Sequence, residues 1–160
     1  MNDYLEQLVA SLQESMVKHY PTAIGIDGRP FSGGFFCVAI DDVMYDPIAI
    51  LNPYANPEYV DRWRRNSRSK VQILLDEPDL TTSWERRNHE LLKYGGGVRF
   101  LNIRAAFSGC LEHLDEALVS VAFIERIPHF TNVQWRQVMD ISQNVNMCEL
   151  GQILPARAAR

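Results

Sequence analysis

Apolar positions along the chain change period several times, and each change predicts an element. Leu5, Leu8, Val9, Leu12 and Met16 fall at i, i+3, i+4, i+7 and i+11. That is one stripe of an amphipathic helix over residues 4–19, with Asn2 or Asp3 at its start and Pro21 past its end. Ala23 to Ile26 then read as a short strand, and Asp27-Gly28-Arg29-Pro30 is turn chemistry. Residues 35–40 are almost continuously apolar, as in a strand covered on both faces. Asp41-Asp42 breaks the run and residues 43–51 resume it, which predicts a hairpin; Pro47 places the returning strand at an edge or delays its start.

The middle of the chain is more ambiguous. Asn56-Pro57 reads as a helix cap followed by a first-turn proline, opening a short helix to about Trp63. Residues 62–70 are polar and basic and read as the most flexible stretch. Val71, Ile73 and Leu75 alternate with polar neighbours and predict a strand over 69–76, against a competing helix running from 57 to 75. Thr82 and Glu85 form a capping box ahead of a helix over 83–94, which Gly95-Gly96-Gly97 ends. A strand is expected over 98–107. Residues 118–127 are rich in β-branched side chains and predict another, with a helix from 111 as the alternative. Thr131 and Gln134 repeat the capping box before a helix to about Val145, and residues 151–160 read as a mobile tail. Several strands with few intervening helices predict one α+β domain over residues 1–150. Its sheet is mostly antiparallel, with an N-terminal, a middle and a C-terminal helix packed on it.

Composition changes this picture little. The chain has 160 residues, 46% hydrophobic and 22% charged, enough to bury a core without a disulfide or metal. Its apolar runs are too short to span a bilayer, and its acidic start lacks the features of a secretion signal. Cys37, Cys110 and Cys148 are scattered, as expected of reduced thiols in a cytoplasm-like compartment.

Charge changes the picture more. Residues 1–61 carry two basic residues against nine acids, and residues 62–104 carry ten against five. The densest cluster is Arg62, Arg64, Arg65, Arg68 and Lys70, with Trp63 among them. Arginines beside an aromatic suit nucleic acid, but a sequence pI near 5.5 and the lack of a binding motif disfavour it. A contact with protein, or with a second copy of the chain, fits better.

Catalytic and metal chemistry find weaker footing. Cys110, Glu112 and His113 form one imaginable ligand group without the paired motifs zinc needs. Cys37 lies in an apolar run that makes a thiol inert. Asp27, Asp41, Asp42 and Asp46 sit in turns, where Asp is common for its own hydrogen bonding. Gly25, Gly28 and the glycine triplet lack the lysine and helix of a phosphate cradle. No cofactor is expected.

The element order resembles that of bacteriophage tail-terminator proteins, small α+β subunits that form a ring on the tail tube. The resemblance rests on the helix at 4–19, Ile26-Asp27-Gly28-Arg29-Pro30, the apolar strand at 35–40 and the charged strand at 69–76. The helix at 83–94 and the late strand at 118–127 complete it. It implies a non-enzymatic homo-oligomer, in a virion or bacterial cytoplasm, that contacts other structural proteins of the assembly. The same resemblance implies Arg62, Arg64, Arg65 and Arg68 as donors to Asp41, Asp42 and Asp46 of the next copy. Two other classes fit the same pattern. One is a small acidic dimer of the secretion-chaperone kind holding a protein client. The other is a ligand-binding or enzymatic α+β domain with a pocket near Cys110 and His113.

Overall fold

Every residue of β1, Gly33–Ile40, is buried, and the molecule is arranged around that strand. The structure is a computed structural model and describes residues 3–144. β1 turns at Asp41 and Asp42, both at positive φ, into the two-residue β2, Val43–Met44. Past Pro47 the chain returns to the same side of β1 as β3, Ile48–Leu51. Pro47 thus delays an edge strand, as its missing N–H requires. On its other side β1 pairs with β5, Ile103–Ser108, and β5 pairs with β4, Gly97–Phe100. All pairings are antiparallel.

Helices cover both faces. Phe36, Val38 and Ile40 point to one side, against α1, Asp3–Asp27, and α3, Glu112–Arg126. Cys37 and Ala39 point to the other, against Val71 of α2, Pro57–Asp76. Fully burying side chains such as Phe36 and Phe107 stabilises the fold by roughly 1.5–3 kcal/mol each. A fourth helix, α4 (Asn132–Ser142), packs on α3, and its Thr131–Gln134 capping box is formed. The fold is α+β with an antiparallel sheet.

Several elements differ from the sequence reading. Residues 23–26 are not a strand but the last turns of α1, whose buried stripe runs on through Met16, His19, Tyr20 and Ala23. Pro21 is exposed and sits inside the helix; burying Tyr20 and Ala23 offsets the lost hydrogen bond. Residues 62–70 are ordered helix, and 69–76 continue it as the end of α2. Its buried side is Trp63, Ser67, Lys70, Val71 and Leu74, whose two polar members hide the helical period. Residues 118–126 lie in α3 and Ile127 caps it; the helix is buried at every position from Leu114 to Ile124, so no polar face marks it. In both regions the competing helix is the one that forms.

Residues 83–94 make no continuous helix. The Thr82–Glu85 capping box is present but opens one 3₁₀ turn, Ser83–Arg86. Asn88 caps a second, His89–Leu91. Leu91 and Leu92, apolar positions of the stretch read as helix, are exposed. The strand over 98–107 is instead the β4–β5 hairpin, folded at Leu101 and Asn102. The helix predicted to about Val145 ends at Ser142, capped by Gln143 at φ 53°, and Val145, Cys148 and the tail at 151–160 lie outside the described residues.

Candidate functional site

Among the described buried side chains, Lys70 is the one ammonium, 1% exposed, and it enters the protein from α2. Its Nζ donates to Asp115 Oδ2 at 2.8 Å and to the Phe107 carbonyl at 2.7 Å. Two acceptors leave the third ammonium proton for whatever enters beside it. Asp115 Oδ1 accepts from the Cys110 amide at 2.9 Å. Burial pushes the Asp115 carboxyl up to about 6, and the charge and hydrogen bond of Lys70 oppose that shift. Gly96, at φ +109°, passes so close that a Cβ there would lie 2.9 Å from both Lys70 Nζ and Asp115 Cβ. Only glycine combines that backbone angle with that approach.

This pair lines a cleft of about 220 Å³, together with Arg29, Arg62, Asn66, Tyr94, Ser108 and Glu112. Its lining comes from α2, the end of β5, the loop into α3 and that helix's start, Tyr94 just before the glycine triplet, and the segment after α1. Arg29 is held by Asp27 through Nε at 2.5 Å and Nη2 at 2.7 Å. Asp27 also accepts from the Leu111 amide at 2.7 Å, tying the end of α1 to the start of α3. Burial raises the Asp27 carboxyl, but Arg29 and the Leu111 amide outweigh it and leave it below its usual range. Arg29 lies over Phe31 at 4.7 Å and Arg62 over Tyr59 at 4.6 Å. Phe31, Tyr59 and Trp63 pack on one another, so one aromatic cluster supports both guanidiniums. Glu112 is engaged by Arg87 at 2.6 Å and by His89.

The residues singled out in the sequence divide. Lys70 is in the cleft floor, Trp63 in its buried wall and Arg62 at its mouth. Arg64, Arg65 and Arg68 are exposed on the outer side of α2, along a groove shared with Met44, Asp61 and Gln72. Within the chain Asp46 pairs with Arg68 at 3.3 Å and Asp42 with Arg104 at 3.1 Å, while Asp41 accepts from Asn102 at 2.7 Å.

Cys110 lines the cleft, but burial first and Asp115 second push its thiol far up, so it carries no thiolate at neutral pH. Burial likewise pushes Cys37 up to about 12. His113 turns elsewhere, stacking on Trp84 with ring centroids 4.1 Å apart and bonding the Ser142 carbonyl at 3.2 Å. Cys110 and His113 therefore form no pair. Among the described residues no group of three or more His, Cys, Asp or Glu could hold a metal. No described helix is long and apolar enough to cross a membrane.

Two further buried carboxylates serve packing. Glu125 accepts from Ser15 Oγ at 2.5 Å and contacts His19 Nε2 at 2.8 Å, joining α3 to α1. Ser15 and His19 both address the carboxylate rather than each other, which is not the order of a nucleophilic triad. Glu116 accepts from Ser142 and, at 3.1 Å, from Asn144, fastening the end of α4; burial pushes it up to about 7.

Sequence reasoning missed Asp115, Asn66, Tyr94 and Ser108 and gave Lys70 a surface role. One signal was available: with 57–76 as a helix, Lys70 falls on the buried stripe, where a lysine requires a partner. Comparison with known proteins gave no match to a family model, a curated protein or a solved structure.

Proposed function

We propose that this chain is a ligand-binding α+β domain that takes a small polar molecule into the Lys70–Asp115 cleft. The observation that carries the reading is a desolvated ion pair on the floor of a cavity. Apolar residues of similar volume usually stabilise a core as well as a buried ion pair does. Charges kept where a cavity reaches them suit a ligand better than they suit packing. The cavity's size fits a small molecule. The surrounding hydrogen bonds fix Lys70, Asp115 and Arg29 in advance, as a binding site requires.

The test is a backbone amide spectrum of the labelled full chain, screened with mixtures of small polar compounds of either charge. The expected result is a saturable shift confined to Gly95, Gly96, Gly97, Ser108 and Cys110. Shifts elsewhere alone, or none, would overturn the reading.

A second reading has its own observation. The exposed arginines 64, 65 and 68 border an open groove of about 450 Å³ on α2. That groove suits the acidic surface of another copy, as in a ring subunit of the tail-terminator kind. Light scattering decides it. A closed multimer that loosens with salt supports the ring, a salt-resistant dimer favours the chaperone class, and a monomer at all salts removes both.

A further inference from the structure

We infer that the ligand of this cleft is a small organic oxyanion, a carboxylate or a phosphate, gripped at the mouth by Arg62 and Arg29 above the Lys70 ammonium. The inference rests on the cleft being a binding site and adds the charge of what it binds. Three cations line the cavity, and their counterions are unequal. Lys70 is matched by Asp115, and Arg29 gives one edge of its guanidinium to Asp27. Arg62 has no carboxylate within ion-pair distance among the described residues, and Glu112, the second acid lining the cleft, is occupied by Arg87 and His89. A neutral or cationic guest at the mouth would take the exposed Arg62 out of water without giving it a counterion. An oxyanion completes it.

The donors also have the right form. Arginine presents parallel N–H groups that match the two oxygens of a carboxylate or phosphate. Both arginines stack on the Phe31–Tyr59–Trp63 cluster, which fixes their planes before any ligand arrives. Asn66, Ser108 and Tyr94 add neutral donors along the wall. The organic part of the ligand then lies against Trp63 and Leu111.

The experiment titrates the labelled full chain with inorganic phosphate, benzoate and benzamide at constant ionic strength. Benzoate and benzamide share shape and differ in charge. Expected is saturable movement of the Gly95–Gly97 amides with benzoate or phosphate, at least tenfold tighter than with benzamide. The anion that saturates at the lower concentration separates a carboxylate site from a phosphate site. Arg62 is exposed, so Arg62→Ala keeps the fold, which the rest of the spectrum verifies, and weakens the anion tenfold or more. Arg136→Ala, on α4 and outside the cleft, leaves it unchanged. Benzamide binding as tightly as the better of the two anions, or an unaffected Arg62→Ala variant, overturns the anion inference while the cleft stands. If no compound in either screen moves the cleft amides, both fall.

Discussion

Lys70 shows how far one residue's meaning depends on the element that carries it. On an exposed basic strand it would be one more surface charge. On the inner side of α2 it is a desolvated cation whose removal strands Asp115, itself 2% exposed. Lys70→Met should therefore destabilise by about 3–5 kcal/mol, the usual cost of orphaning a buried charge. The sign of its pH dependence follows from Asp115. Without the ammonium the carboxyl rises above its present value near 6, so the folded variant takes up a proton more readily than the unfolded chain. Stability of Lys70→Met should recover as pH falls toward 5, and urea unfolding at pH 5 and pH 8 measures it. A deficit equal at both pH values would mean that Asp115 is not the group left behind.

Among elements, those built on clean amphipathic patterns were legible and those buried on every side were not. The stripe of α1, the apolar β1, the late start of β3 and the capping box of α4 could all be read from residue types. α3 could not, because sheet, α1 and α4 enclose it and its β-branched residues imitate a strand. The Thr82–Glu85 box was read correctly as a cap, but a cap specifies only where a turn begins. Asn88 starts a second turn before the first can extend. The β4–β5 turn carries a testable misfit. Leu101 sits at φ 53° and is 67% exposed, so its side chain gains little there and its Cβ opposes the backbone. Leu101→Gly should raise stability by about 0.5–1 kcal/mol, read as a shift of the urea midpoint.

For the whole molecule, the cleft was illegible because it belongs to no segment. Arg29, Lys70, Gly96 and Asp115 meet only once four distant stretches have packed, and no spacing motif links them. The same packing sets the acid–base behaviour of the fold. Asp115 and Glu116 are raised to about 6 and about 7, chiefly by burial, so the folded state binds their protons more tightly than the unfolded chain does. Their effect is to lower stability as pH rises from about 4 to about 7. Asp27 and Glu125 are depressed, and the stability they provide is lost as pH falls through their folded values, below about 4. The urea midpoint should accordingly be higher near pH 5 than at pH 8, and a midpoint rising steadily to pH 8 would contradict these assignments. The central β1–β5 pairing has a further consequence, for the order of events in time. β1 with β2 and β3, and β4 with β5, are local hairpins that can form quickly, whereas Phe36 must find Phe107 across more than a third of the chain. There Gly34 lies so close to β5 that a Cβ would come 2.3 Å from the Ser108 carbonyl oxygen. The slow step of folding is the meeting of these two halves, so a methyl group at position 34 should slow refolding more than it hastens unfolding.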